Sequence, residues 1–325
     1  MTLRKRKLLI GSLCSASLVA AGCSAAPGES SRSETGTAAL GSSPSERTGP
    51  SPEDDIFDLG TGSVMLNSGF EMPVAGLGNF SLSEEEAFDS VSAFLAEGGR
   101  LIDTAYIYGN EESIGDAIRA SGVPREDIFV TTKIHPNQFD DPEGAIEDAV
   151  DALGVGYIDM MLLHHPGPGD VDAYRAMEGA VDDGVIRSIG LSNWYIEELE
   201  EFLPQVDTTP AMVQNEIHPH YQEKDVVPYI QELGTVVQGY FPFGGRDHVQ
   251  EVLREPVISE IAETHDVSPA QVILRWNLQR GVVVIPGSSS DEHIRENLDI
   301  LDFTLSDQEM EHISDLDRDE KYSWY

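Results

Sequence analysis

From residue 74 onward, short apolar or β-branched runs alternate with longer stretches whose apolar positions recur every three to four residues. The runs at 74–77, 100–104, 128–133, 158–164, 186–192, 211–215, 235–240 and 282–286 read as eight strands. Between them, 83–98, 141–153, 172–183 and 268–279 read as helices, the first opened by Ser83 and Glu86 in the spacing of a capping box. Strands that are apolar along their whole length are buried on both faces, as in a parallel sheet covered by helices. Eight such repeats in about 270 residues match the size of an α/β, (β/α)8 TIM barrel. A doubly wound open sheet would place a Gly-x-Gly-x-x-Gly turn after its first strand. Gly60-Thr61-Gly62 and Gly76-Leu77-Gly78 lack the third glycine and the helix behind it, so they read as turns. Residues 63–72, with Asn67-Ser68-Gly69 at the bend, read as an N-terminal β-hairpin at the barrel bottom.

The first 55 residues follow a different pattern. Arg4, Lys5, Arg6 and Lys7 precede an uncharged apolar run of 14 residues, and Ala20-Ala21-Gly22-Cys23 closes it. A permanent membrane helix needs roughly 20 apolar residues, so this segment reads as an export signal. Small residues before a cysteine resemble a bacterial lipoprotein cleavage site, which makes Cys23 the lipidation candidate and residues 1–23 the leader. Residues 24–55, rich in Ser, Gly, Pro, Thr and Glu, read as a disordered tether, and residues 56–325 as the barrel. The expected location is outside the cell, anchored to the membrane through lipid alone; a non-functional leader would leave the chain in the cytoplasm.

Charge narrows the partners. The chain carries 58 acidic and 20 basic side chains, a net charge of −38, which opposes binding to nucleic acid. Cys14 and Cys23 both lie in the leader, so the barrel has no internal disulfide and no thiolate metal site. Beyond residue 55 the lysines are Lys133, Lys224 and Lys321, which makes Lys133, inside a strand, conspicuous.

The chemistry gathers just past the ends of successive strands, where a parallel barrel keeps its active site. Leu101-Ile102-Asp103-Thr104-Ala105-Tyr106-Ile107-Tyr108-Gly109-Asn110-Glu111 is followed by Thr131-Thr132-Lys133 and by Leu162-Leu163-His164. An unperturbed phenol, with a pKa of about 10, is a poor acid at neutrality. A nearby ammonium favours the phenolate, and an aspartate fixes the ammonium. Each residue alone has a plain structural explanation: a helix cap, a wall residue, a surface ion pair. Their order along the chain favours a shared site.

These three stretches resemble the active-site motifs of the aldo-keto reductases, in particular bacterial reductases of small carbonyls and diketo sugar acids. The resemblance implies NAD(P)H-dependent reduction of aldehydes or ketones, with Tyr108, Asp103, Lys133 and His164 as the catalytic set and Tyr108 as proton donor. It implies that Ser192, Asn193 and Gln214 hold the nicotinamide carboxamide and that Tyr240 stacks under the ring. Ser288, Ser289, His293, Glu296 and Asn297 fall in the segment that resembles the adenosine-phosphate site. The family's lysine and arginine are replaced there by Gly287 and His293, so NADPH is expected with NADH possible. Phe80, His165, Trp194 and Phe241 would line the substrate mouth. The segment after Asp315 is short, which predicts a mouth not narrowed by a long loop and a broad specificity. His164, His165, His218 and His220 could look like metal ligands, with Glu216 two residues before His218; Glu216-Ile217-His218-Pro219 resembles the family's Glu-x-His-Pro turn after strand six, and no metal is expected. A monomer acting on a small carbonyl compound is the leading expectation. The second is a catalytically weak nicotinamide-binding barrel serving as a sensor or assembly subunit at the membrane.

Overall fold

The structure is a computed structural model that describes residues 57–323. The expected export signal, Cys23 and the expected tether lie outside the described residues. Among the described residues, a three-stranded antiparallel sheet precedes eight parallel strands with helices between them. The small sheet comprises β1 (Phe57–Asp58), β2 (Ser63–Met65) and β3 (Glu71–Pro73). The barrel strands are β4 (Gly76–Gly78), β5 (Leu101–Asp103), β6 (Phe129–Ile134), β7 (Ile158–Leu163), β8 (Ile186–Ser192), β9 (Met212–Glu216), β10 (Val236–Tyr240) and β11 (Val282–Val284). They pair in chain order. The first and last meet where Val284 N–H donates to the Val74 carbonyl at 3.0 Å and Gly78 N–H to the Pro286 carbonyl at 3.2 Å. That seam completes the (β/α)8 TIM barrel.

The hairpin read from residues 63–72 is β2 and β3, and the pairing of Phe57 with Val64 adds the short β1. Asn67 Nδ2 donates to the Pro210 carbonyl at 3.0 Å, and the Ser68 and Ser188 hydroxyls lie 2.7 Å apart. Both contacts fall at the N-terminal ends of barrel strands. Val64, Leu66 and Met72 thereby join Leu101, Phe129, Met160 and Met212 in the interior cluster, flooring the barrel with apolar surface.

Strand alternation decides which side chains face the axis. Leu101, Phe129, Met160, Leu162, Met212 and Val236 fill the interior, while Ile102, Val130, Met161, Val213 and Val237 pack against the helices. Continuing the inward parity upward carries the chain to Asp103, Lys133, His164, Gln214, Gln238 and Tyr240. The polar residues therefore crown an apolar core at the C-terminal ends of the strands. Around the outside, helix Glu84–Ala96 begins with the expected capping box: Ser83 N–H donates to Glu86 Oε2 at 2.9 Å, and Glu86 N–H donates to Ser83 Oγ at 3.3 Å. Helices Pro142–Leu153, Asp170–Asp182 and Pro269–Gln279 fill the other predicted stretches.

Candidate active site

Lys133 lies at the bottom of the site, fully buried. Its Nζ donates to Asp103 Oδ1 at 2.7 Å and to the Thr104 carbonyl at 2.8 Å. Burial pushes the ammonium pKa down, and the Asp103 carboxylate opposes that shift. The second oxygen of Asp103 accepts from Gln214 Nε2 at 2.8 Å, and Gln214 donates again to Gln238 Oε1 at 2.5 Å. Gln238 was not anticipated from the sequence, although its inward parity on β10 was readable.

Tyr108 reaches the site from a loop. Residues Tyr106–Tyr108 form one 3-10 turn, closed by Gly109 at φ 67°, a left-handed conformation that glycine adopts without strain. Asn110 fixes the loop from behind, accepting from the Thr104 hydroxyl at 2.7 Å and donating to the Asn79 carbonyl at 2.9 Å. The Tyr108 ring then stands 5.3 Å from Lys133 Nζ, 5.8 Å from the His164 ring and 5.1 Å from Phe80. Phe241 tilts against Phe80 at 5.7 Å.

His164 is buried, and burial together with the charge of Lys133 holds its pKa far below the ordinary imidazole value. It stacks face to face on His165, with centroids 4.6 Å apart. His135, two residues beyond Lys133 and absent from the sequence-based set, stands edge-on to both rings at 6.0 and 5.9 Å. His218 pairs with Glu216 at 2.9 Å, while His220 bonds the Tyr322 hydroxyl and Glu255. Among the described residues, no group of three or more ligand-type side chains is arranged to hold a metal ion.

One cavity of about 740 Å³ connects this floor to the loop after β11. Asp103, Tyr108, His164, Ser192, Asn193, Gln214, Tyr240, Phe80 and Phe241 line one part of it, and Gly287, Ser288, Ser289, Ser290 and His293 another. Asn193 sits at φ 67°; its amide donates to the His164 carbonyl at 2.9 Å and accepts from the Tyr240 hydroxyl at 2.7 Å. Two side-chain amides and a serine hydroxyl on one wall fit a carboxamide. The helix Asp291–Leu298, entered through Ser290, offers N–H groups suited to a phosphate. The residues present thus fit a nicotinamide dinucleotide, although neither 287 nor 293 is a lysine or arginine. Arg246, unanticipated, also lines this cavity and donates to the Ser81 carbonyl at 3.1 Å.

Other expected residues lie elsewhere. Trp194 does not line the cavity: it is 1% exposed and packs edge-on against Phe202 at 5.8 Å. The left-handed turn at Asn193 directs the following residue into the helix layer, where a large ring buries its apolar surface. Glu296 and Asn297 sit about one helical turn beyond His293 and line no part of the cavity. His165 contacts the cavity wall through His164, and Lys133 lies beneath the floor. The short C-terminal segment does reach the mouth, because Tyr322 and Ser323 line it.

The aldo/keto reductase family model matches residues 74–318. The chain belongs to the aldo/keto reductase family. It is 40% identical over 263 residues to the glyoxal reductase of Bacillus subtilis, covering 80% of this chain and 94% of that protein. Over 271 residues it is 38% identical to the morphine 6-dehydrogenase of Pseudomonas putida, covering 78% and 90% respectively. A crystal structure of an aldo/keto reductase from Brucella melitensis superposes with a TM-score of 0.75 at 36% identity, covering 78% of this chain and 99% of that one. Aldo/keto reductases use NAD(P)H generally, which agrees with the wall of amides described above.

Proposed function

We propose that this chain reduces small aldehydes or ketones to alcohols with NAD(P)H, and that Tyr108 delivers the proton. The observation that carries this reading is the convergence of Asp103, Tyr108 and His164 on the floor of one cavity, with Lys133 buried beneath it against Asp103. A reduced nicotinamide, when bound, supplies hydride to the carbonyl carbon. The remaining requirement is a proton for the carbonyl oxygen. His164 is a poor source, because burial and Lys133 disfavour its protonated form. Tyr108 is a better one, because an ammonium 5.3 Å from its ring stabilises the phenolate left behind. Asp103 keeps that ammonium charged and in place, and Gln214 keeps Asp103 in place. His164 serves by orienting the substrate oxygen as a neutral imidazole.

NADPH is the expected cofactor and NADH the second, since Ser288, Ser289 and the nearby helix N-terminus are available to phosphate oxygens while residues 287 and 293 supply no permanent cation. The reading includes export of the chain by residues 1–23 with lipid on Cys23. Loss of labelled-lipid incorporation in Cys23→Ala tests that part. For the chemistry, purified protein should consume NADPH with a simple aldehyde, and Tyr108→Phe should lose turnover while still quenching its fluorescence with NADPH. An undiminished rate in Tyr108→Phe would remove the proton-donor assignment. Absence of binding to either NADPH or NADH would remove the function.

A further inference from the structure

Gln238 is fully buried and lines no part of the cavity, yet it bonds to Gln214, which does. The two are partners in the parallel β9 and β10 register, so their side chains stand side by side on the inner face of the barrel. Gln214 pairs in turn with Ser192 on β8. This row of polar side chains sits directly above the apolar interior, to which Met212 and Val236 of the same strands belong.

The ion pair of Lys133 and Asp103 fixes the direction of every hydrogen bond in this row. An ammonium only donates and a carboxylate only accepts, so the atom that Gln214 turns to Asp103 Oδ2, at 2.8 Å, is its nitrogen. That nitrogen meets Gln238 at 2.5 Å, and the Gln238 atom facing it is therefore the oxygen. Both N–H groups of Gln214 are thus spent, and its oxygen is what it has left for the cavity it lines. Asn193 Nδ2 donates to the His164 carbonyl at 2.9 Å and to Ser192 Oγ at 3.2 Å, which leaves the Ser192 hydroxyl its proton to donate. The wall therefore offers an acceptor from Gln214 and a donor from Ser192. A primary carboxamide answers both, with its N–H on the first and its carbonyl on the second.

Gln238 holds this arrangement at a cost to itself. Its own Nε2 is buried and has no hydrogen-bond partner among the described residues, and a buried donor left unpaired is destabilising. An apolar side chain, like Val236 on the same strand, would avoid that cost. It would also release the second N–H of Gln214, which could then turn to the cavity while the first stayed on Asp103. We propose that Gln238 is a positioning residue for cofactor recognition: it ties down the second N–H of Gln214, so that the site selects a pyridine ring bearing an amide N–H over one bearing only a carbonyl. This rests on the reading of the wall as the nicotinamide site. Gln238 acts through Gln214 alone.

The test is a binding measurement that needs no turnover. Calorimetry on the purified chain compares NADP+ with its 3-acetylpyridine analogue, in which a methyl group replaces the carboxamide NH2, and repeats the comparison for the NAD+ pair. The wild type should bind the carboxamide form about tenfold more tightly, as the loss of one hydrogen bond implies. Gln238→Leu, which has no acceptor for Gln214, should bring the two affinities toward equality, and Gln238→Met, whose thioether is at most a weak acceptor, should do the same if the leucine variant does not fold. Gln238→Glu keeps an acceptor oxygen and should retain the preference. A preference that survives in the apolar variants would overturn the positioning role. So would a parallel loss of affinity for both forms, the mark of a purely structural residue. Binding of both forms by the wild type without discrimination would fault the positioning role alone. Binding of neither pair would fault the nicotinamide reading itself, and the positioning role falls with it.

Discussion

Lys133 Nζ lies 2.7 Å from Asp103 Oδ1, with the lysine side chain 0% and the aspartate 3% exposed. Removing one member of such a pair leaves a buried, uncompensated charge, which typically costs about 3–5 kcal/mol. Lys133→Met should therefore lower stability by that order. It should also reduce carbonyl turnover by about two to four orders of magnitude, the usual worth of positioned acid catalysis. Denaturant unfolding alongside steady-state kinetics separates the two effects. A Lys133→Met protein that is folded and retains wild-type kcat would exclude the lysine from the proton-transfer machinery.

His165 and Glu223 should bend stability in opposite directions with pH. Burial, with help from His135, Lys321 and Lys133, depresses His165 to about 4. The unfolded chain then takes up the proton more readily, so this contribution is complete above about 6.5 and is lost as pH falls toward 4. Burial raises Glu223 to about 7, despite the Tyr221 hydrogen bond and Lys321. Its contribution is complete below about 4.5 and is lost as pH rises through 7. Melting temperatures across this range should show His165→Phe flattening the acid limb and Glu223→Gln the other. Parallel curves for wild type and both variants would contradict these environments.

How much of this was legible in the sequence depended on whether the cause was local. Strand alternation placed Leu101 and Asp103 on one side and Phe129 and Lys133 on one side, so their convergence above the apolar core was readable in the pattern, whereas a catalytic role for them was implied only by the family resemblance. The Ser83 and Glu86 cap was readable for the same reason. Trp194 was misplaced because a backbone turn at Asn193, with φ 67°, sends the next residue away from the mouth, and Asn does not announce that conformation as strongly as glycine. His135 and Gln238 were missed although parity pointed to both. The packing of Tyr322 between His218 and His248, with centroids 4.7 and 3.7 Å away, joins segments far apart in sequence and leaves no local trace.

Glu216 should govern whether the C-terminal segment stays on the mouth. Its carboxylate accepts from His218 Nε2 and from the N–H groups of Tyr322 and Ser323. Glu216→Gln keeps one acceptor oxygen and turns the other into a donor facing donors, so about 1–3 kcal/mol of local stability should be lost. Hydrogen exchange at the Tyr322 and Ser323 amides reads this directly, with faster exchange expected in the variant. Protection equal to wild type would mean that Arg318, bonded to Glu251 and Glu255, suffices to hold the segment.

Gly190 tests how tightly the cofactor wall depends on the barrel frame. It pairs with Met212 in the β8 and β9 register, two residues before Ser192, which pairs with Gln214. A Cβ added at Gly190 would stand 2.3 Å from the Met212 carbonyl oxygen and 2.8 Å from Leu162 Cδ2. The carbonyl belongs to the sheet backbone and cannot swing aside, so the strands must separate. Gly190→Ala should cost about 1–3 kcal/mol, as overpacked cores do. Because the displacement acts between Ser192 and Gln214, NADPH binding should weaken along with stability. Fluorescence titration under conditions where the variant is fully folded distinguishes the two. Unchanged affinity there would mean that the wall tolerates a shift of its supporting strand, and that Asn193, held by Tyr240 and the His164 carbonyl, keeps its place without it.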